Sequence, residues 1–580
     1  MHQRDDEVVR MGRERTERVL RMKKGLALPM FASIGVLMFY PAFNSFFYWD
    51  DFPLMCMSRY IGNPLSFFTH DYFPGSVSYR PLGMLSWWLS YKVFGLNPTL
   101  HNLLNPLLHV INTFLVYLLL CRLFDNKRWV ILCSSLLFLI HPVAVSTSIW
   151  QSDRFDLMAT LFILWTLYFF FRYLSTQRRI DLLSSLSGTC LGILTKEISY
   201  GLFLLITLAV LTFPNPKWKG EWLKKVLLLL PYYFITFFLF ILRFLLLRGG
   251  ERHYFEKGLI QSLWNGFLKW VQFMPDIYLS HVDVLGVGDL VKGIFLLLVF
   301  LISVIIFLSI KRRTPIPWHL VLFGFGVVGI SGVIMAPVMN LSAFVTPGEE
   351  FSFFLIAEGR FYYLSLVGFL IILNSSLFLA SSFSTTRRRA QLFSALMVSF
   401  FTIAFFPYAV SSFSLGQKWK ELTNGGERQL VELADQAVRQ APSMDHGMKI
   451  YFLNTQSHSH FREFGDTMLK AIAPQNSKVI HCLVFTEKPP WYNLVLKEDV
   501  GSIEIQPLRN LRRRGREVPP TVVGEFVHYY LVFPGGDEIV KDPKAVFFEF
   551  VPIEKRFIDV TEKVRAGTKK VPFFNDRPET

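Results

Sequence analysis

From Leu26 to Phe413 the chain alternates long apolar runs with short polar breaks, and beyond Gln417 that pattern stops. The runs lie at 26–46, 103–124, 129–149, 156–174, 182–196, 198–213, 226–247, 291–310, 317–338, 361–383 and 392–413. A bilayer-crossing helix needs about 20 mostly apolar residues, so the pattern predicts a mainly α, polytopic membrane helical bundle of about 11 spans. Two further stretches are apolar but interrupted. Residues 258–280 contain Lys269, Pro275 and Asp276 and are expected to be interfacial or re-entrant. Residues 80–94, with Trp87, Trp88 and Tyr91 in an amphipathic pattern, are expected to lie along the membrane surface.

After the last run, a helical stretch at 418–440 is followed by β-type runs at 449–453, 478–485 and 527–533, separated by turn residues. A C-terminal soluble α/β domain is the expectation. The predicted organisation is an N-terminal cytoplasmic segment 1–25, a membrane domain 26–414 with a first outer loop 47–102, and a soluble domain 415–580.

Composition agrees: 52% of residues are hydrophobic and 16% aromatic, which belongs to the membrane class. The net charge of +16 does not point to nucleic acid, because Lys and Arg concentrate in short breaks at 125–128, 175–179, 214–225, 311–313 and 385–389. Basic loops face the cytoplasm. That orientation puts the loop opening with Trp49-Asp50-Asp51, and the C-terminal region, on the outer side. No small-residue cleavage site follows the mixed-charge N-terminus, so the first run is expected to stay as an anchor. The cysteines at 56, 121, 133, 190 and 482 form no CxxC or metal-type spacing. Arg512-Arg513-Arg514 reads as a solvated or lipid-facing basic patch.

On this topology Asp50, Asp51, Asp71, Arg80, Arg154, Asp156, Lys196, Glu197, Arg248, Glu358 and Arg360 all fall at outer span ends or in outer loops, with His141 a short way inside the same face. Ionisable groups beside spans are costly and mark function by default. A transporter concentrates them near the midplane, whereas crowding at one face suits chemistry on a lipid-linked anion held at headgroup depth. Transfer of a sugar needs a carboxylate to take the proton of the attacking hydroxyl, and Asp50 or Asp51 suits that role. The phosphate leaving group needs cations, for which Arg80, Arg154, Lys196 and Arg360 are candidates. Each has a structural alternative. The Asp pair could be a helix cap or hold a divalent cation, which is the one cofactor these residues would invite. Lys196-Glu197 could be a local ion pair, His141-Pro142 a kinked helix end, and Asn105 and His109 interhelical hydrogen-bonding groups.

Several segments, taken in order, resemble the transmembrane and tetratricopeptide-repeat O-mannosyltransferases and, more distantly, the protein O-mannosyltransferases of the GT-C superfamily. They are Asp50-Asp51, His70-Asp71-Tyr72-Phe73-Pro74-Gly75, Ser78-Tyr79-Arg80-Pro81-Leu82, Gly95-Leu96-Asn97-Pro98, Asn105 with His109, His141-Pro142, Arg154-Phe155-Asp156, Lys196-Glu197 and Arg360-Phe361-Tyr362-Tyr363-Leu364 with Gly368-Phe369. The resemblance implies a GT-C fold and a hexosyltransferase that uses a polyprenyl- or dolichyl-phosphate sugar, mannose in the family. It implies inverting transfer on the non-cytoplasmic face, with Asp50 as base, Asp51 assisting, and Arg80, Arg154, Lys196 and Arg360 on the lipid phosphate. Asp71, His141, Asp156 and Glu197 complete the candidate binding set. This sequence departs from the family in lacking the repeats, which leaves glycan, lipid and protein acceptors open, and in placing Gly359 between Glu358 and Arg360. Compact size leans toward a bacterial inner membrane with the site on the periplasmic side. The competing functions are transfer of a longer lipid-linked glycan and non-catalytic lipid or glycan transport.

Overall fold

The structure, a computed structural model, describes residues 26–48, 50–69, 78–124, 128–213, 221–246, 259–278, 317–341, 359–382, 387–424, 428, 432, 436, 449–453, 480–483, 492–497, 502–507, 530–531, 545–551 and 556–566. Asp71, Arg248, Glu358, the predicted span 291–310 and the basic run 512–514 lie outside the described residues. Two compact units divide the chain. One comprises Met1–Phe43, Asn102–Phe240 and Lys257–Lys418, and the other Asn44–His101, Ile241–Glu256 and Trp419–Thr580.

The first unit is helical. Its elements are α1 (Leu26–Asn44, closing in a 3-10 turn), α4 (Pro98–Leu123), α5 (Arg128–Ile140), α6 (Pro142–Ile149), α7 (Arg154–Thr176), α8 (Arg179–Ile193), α9 (Leu202–Thr212), α10 (Trp222–Leu246), α11 (Leu259–Tyr278), α12 (Trp318–Leu341), α13 (Tyr363–Ser382) and α14 (Arg387–Leu422), several of which run on past its borders. Among the described residues six helices are long and apolar enough to cross a membrane: Leu26–Asn44, Pro98–Leu123, Gln151–Thr176, Trp222–Leu246, Trp318–Pro337 and Gly359–Leu379. The protein is therefore an integral, multi-pass membrane protein.

A seventh crossing forms if α5 and α6 count as one. The apolar run 129–149, expected as a single span, is bent by 47° at His141-Pro142. Pro142 has no N–H to continue the helical ladder, and His141 is extended at φ −64°, ψ 132°. The ring of His141 takes over the lost bonding: Nδ1 accepts from the N–H of Val143 at 3.2 Å. α8 and α9, at 15 and 11 residues, fall short of the length expected of spans. The 36-residue α14 runs unbroken through the boundary predicted at 414/415.

Close approach of the helices depends on small residues, the usual device where lipid removes the hydrophobic drive to associate. On α8 the buried face holds Ser185, Gly188, Thr189 and Gly192, and Ser185 Oγ donates to the Thr166 carbonyl of α7 at 3.0 Å. α12 and α13 meet at Gly324 and Gly368, where a Cβ on Gly368 would lie 2.7 Å from the Gly324 oxygen. α11 meets α12 at Gly266 and Gly332. α11 is absent from the six spanning helices; its Ile260, Trp264, Leu268 and Val271 form an exposed stripe, while Trp270 is buried.

The second unit contains α2 (Asp51–Tyr60), a 3-10 turn at Pro64–Phe68, α3 (Pro81–Phe94) and the strands. α3 forms where the amphipathic pattern at 80–94 expected a helix. Its buried Trp87 stacks on His101, with centroids 6.1 Å apart, and Trp88 Nε1 donates to the Ile61 carbonyl. Gly95 ends the helix with φ +57°, a conformation that disfavours any side chain. The strands β1 (Lys449–Leu453), β2 (Ile480–Leu483), β3 (Tyr492–Lys497), β4 (Ser502–Pro507), β5 (Tyr530–Leu531), β6 (Ala545–Val551) and β7 (Arg556–Asp559) make one sheet in the order β3-β4-β5-β2-β1-β6-β7. Pairing is parallel for β1 with β2 and β6 and for β2 with β5, and antiparallel elsewhere.

The α11–α12 contact can be tested directly. A Cβ at Gly266 would stand 1.8 Å from the Ala336 backbone oxygen, which cannot rotate away, whereas one at Gly329 meets nothing within 4 Å. Gly266→Ala is expected to cost about 1–3 kcal/mol and Gly329→Ala none, since Ala favours helix. Thermal unfolding in detergent should show a lowered midpoint for the first alone. Equal midpoints would contradict the packing.

Candidate functional site

In the first unit, the starts of α7 and α13 and the turn between α8 and α9 bring charged side chains together. A 3-10 turn, Gln151–Asp153, leads into α7 and carries Asp153, Arg154 and Asp156; another, Gly359–Tyr362, leads into α13 and carries Arg360; Lys196 precedes the 3-10 turn Glu197–Gly201. Lys196 Nζ donates to Asp156 Oδ2 at 2.5 Å, and Arg360 Nη1 donates to Asp153 Oδ1 at 2.8 Å. Asp153, Arg154, Asp156 and Lys196 are buried, and Arg360 keeps 23% of its side chain exposed. Oppositely charged partners offset the large cost of taking such groups out of water.

Aromatic faces complete the setting. The Arg360 guanidinium lies 5.0 Å from the Trp150 ring centroid and 5.1 Å from that of Phe361, and the Lys196 ammonium is 6.0 Å from Phe361. Contacts of this kind contribute about 0.5–1 kcal/mol at exposed sites and about 2 kcal/mol when desolvated. Arg154 Nε donates to Asn105 Oδ1 at 3.3 Å, and Asn105 Nδ2 donates to the carbonyls of Trp150 and Gln151 at 2.7 and 3.2 Å. The Asn105 amide is thus oriented by two carbonyls that can only accept. Gln151 continues the chain by donating to Asn102, which donates to the Phe43 carbonyl.

Asp153 is a member of the cluster that the charge pattern along the chain does not single out. It stands three residues before Asp156, a spacing that places both carboxylates on one helical face, and that was the available signal. Its Oδ2 is buried with no hydrogen-bond partner among the described residues. Of the other candidates in this unit, His141 caps α6, its ring 4.7 Å from that of Tyr408. Glu197 is half-buried at the first position of its 3-10 turn. For Lys196, the partner is Asp156 on α7, forty residues away in sequence.

The second unit holds Asp50, Asp51 and Arg80. Asp51 is fully buried, and its Oδ2 accepts from the Tyr48 N–H at 2.9 Å, closing the turn that starts α2. Asp50, half-buried, occupies the N-cap position of α2 without a side-chain capping bond. Arg80 precedes Pro81 at the start of α3, also half-buried. Beside it Tyr79 donates to the Phe68 carbonyl at 2.9 Å, and burial pushes its hydroxyl above the ordinary tyrosine pKa. Among the described residues no group of three or more His, Cys, Asp or Glu is placed to hold a metal ion.

Residues 79–244 match the family described as dolichyl-phosphate-mannose-protein mannosyltransferase. That segment begins at Tyr79-Arg80-Pro81 and includes Arg154, Asp156 and Lys196. The human protein O-mannosyl-transferase TMTC3 is 38% identical over 88 residues, 15% of this chain and 9% of the human protein. Mouse TMTC1, another protein O-mannosyl-transferase, is 29% identical over 157 residues, 24% of this chain and 16% of its own. The matches therefore span a small part of these relatives. An archaeal oligosaccharyltransferase, AglB from Archaeoglobus fulgidus, solved with an inhibitory peptide and a dolichol-phosphate, superimposes with a TM-score of 0.43 at 12% identity, covering 80% of this chain and 64% of that one. The chain resembles the protein O-mannosyltransferases in its sequence, as its ordered motifs lead one to expect.

The Asp156–Lys196 pair yields a stability prediction. Removing one partner of a buried pair leaves the other charge stranded, at a cost of about 3–5 kcal/mol, while replacing both costs far less. Asp156→Asn should therefore lower the detergent melting midpoint more than the double variant Asp156→Asn/Lys196→Met. If the double variant melts no higher than the single, the two residues are not coupled.

Proposed function

We propose that this chain is a membrane glycosyltransferase that moves a sugar from a polyprenyl- or dolichyl-phosphate donor to an acceptor hydroxyl, with inversion at the anomeric carbon. The observation that carries the reading is the cluster of buried Asp153, Arg154, Asp156 and Lys196 with part-exposed Arg360 at helix ends of a membrane body. Charged groups are retained in such a place when a charged ligand must be met there. The match of residues 79–244 to a mannosyltransferase family supports mannose as the first sugar to try.

In this reading Asp50 takes the proton of the acceptor hydroxyl as its oxygen attacks the anomeric carbon. The bond from that carbon to the phosphate oxygen breaks, and the lipid phosphate leaves with the bonding pair. Arg154, Lys196 and Arg360, with Arg80, stabilise the charge that builds on it. Asp50 is preferred over Asp51 as base because it is half-buried, within reach of an incoming hydroxyl, whereas Asp51 is fully buried. The reaction takes place on the non-cytoplasmic face, and the location is a bacterial inner membrane with the C-terminal sheet on the periplasmic side. Basic loops such as 175–179 support that orientation.

Two variants separate the roles. Asp50→Asn should reduce transfer from polyprenyl-phosphate mannose about 10²- to 10⁴-fold while donor affinity stays near wild type, because the proton acceptor alone is lost. Asp51→Asn keeps an oxygen for the Tyr48 N–H and should retain measurable transfer. Product mass spectrometry with a panel of polyprenyl-phosphate sugars reads the outcome and names the sugar. Full activity of Asp50→Asn would remove it as base, and absence of transfer from every monosaccharide donor would favour a longer lipid-linked glycan.

A further inference from the structure

We propose that Trp270 and His109 are positioning residues for Arg360, acting through Tyr362 and Tyr363; the inference rests on reading Arg360 as a phosphate-binding group. Arg360 sits in a turn of four residues, Gly359–Tyr362, too short to hold a side chain's direction by its own ladder. The next three residues are aromatic, and each is engaged by a different part of the unit.

Phe361 lies against the Arg360 and Lys196 cations. Tyr362 is fully buried; its ring stacks on Trp270 of α11 with planes 6° apart and centroids at 5.2 Å, and its hydroxyl donates to the Trp270 carbonyl at 2.8 Å. Trp270 is itself held by α12, where a Cβ on Gly332 would lie 2.7 Å from the indole.

Tyr363 is gripped by α4. His109 Nε2 is 3.0 Å from the Leu139 carbonyl, which can only accept, so the ring hydrogen resides on Nε2. Nδ1, 2.7 Å from the Tyr363 hydroxyl, is then the acceptor, and Tyr363 donates to it. Asn112 Nδ2 donates to the same Tyr363 oxygen at 3.1 Å and to the Leu157 carbonyl of α7 at 3.0 Å. One hydroxyl thereby ties α13 to α4, α5 and α7. α7 is the helix whose start carries Asp153, the carboxylate that receives Arg360. The two clamps fix the last residue of the turn and the one after it, and the guanidinium is presented in one direction. α11, expected from its sequence to be interfacial or re-entrant, belongs to the working part of the molecule.

The test is a binding cycle in detergent with undecaprenyl phosphate as the probe. Tyr362→Phe and Tyr363→Phe each remove one oxygen at nearly constant volume and are expected to weaken binding about five-fold, with Arg360→Ala weakening it about ten-fold or more. In the Arg360→Ala background both tyrosine variants should cause no further loss, because they act through a group that is gone. Trp270→Phe, which keeps a stacking ring, should recover most of what Trp270→Ala loses. Equal losses in both backgrounds, or no loss in either, would overturn the positioning role while leaving the phosphate reading intact. Failure of the wild type to bind, or wild-type binding by Arg360→Ala, would overturn the phosphate reading and this inference with it. Should Tyr363→Phe fail to fold, Tyr362→Phe completes the same cycle alone.

Discussion

The ion pair of Lys196 with Asp156, and beside it that of Arg360 with Asp153, is the constraint to which the rest of the helical unit is fitted. A charge brought out of water into a helical body must find its partner within hydrogen-bonding reach or be neutralised. For α7, α8 and α13 this means that the ends carrying those residues must lie together. The helices cannot slide or rotate independently, since any shift of a few ångströms strands a carboxylate or a cation.

Meeting that demand requires helices to come closer than large side chains allow. Gly188 and Gly192 on α8, Gly324 opposite Gly368, and Gly266 against the Ala336 backbone supply the approach. Hydroxyl and amide groups then replace water as partners inside: Ser185 bonds to the Thr166 carbonyl, Ser412 to that of Ile140, and Asn105 to two carbonyls and to Arg154. Each such bond is modest, but a buried group without one costs more than the bond itself contributes. The 47° break at His141-Pro142 follows the same logic, with the imidazole serving the N–H that the broken helix abandons.

Within the proposed transferase, the two acidic neighbours Asp50 and Asp51 differ through their surroundings alone. Asp51 is fully buried and closes the turn that opens α2, while Asp50 is half-buried at the N-cap position. Likewise Arg154 and Arg360 are not equivalent cations. Arg154 is buried against Asn105, while Arg360 keeps part of its side chain exposed, with its guanidinium over Trp150. A ligand phosphate would meet the second more readily than the first.

Hydropathy and charge along the chain were sufficient for the membrane class, for the positions of the long helices, for the helix at 81–94 and for strands at 449–453 and within 478–485 and 527–533, because each depends on residues near in sequence. They also selected Arg154, Asp156, Lys196 and Arg360, since a charge at a span end is visible without any fold. Partnership was not visible. That Lys196 answers to Asp156, that Arg360 answers to Asp153, and that Tyr363 is tied to His109 across 254 positions are facts of packing. The break at His141-Pro142 was legible as a kinked helix end, because proline interrupts the ladder wherever it falls, whereas α14 runs past a boundary drawn where hydropathy falls although helical hydrogen bonding does not. Residue type and local pattern mark the groups that are costly to bury; packing sets how each cost is met, because a partner's position depends on helices that chain order does not make neighbours.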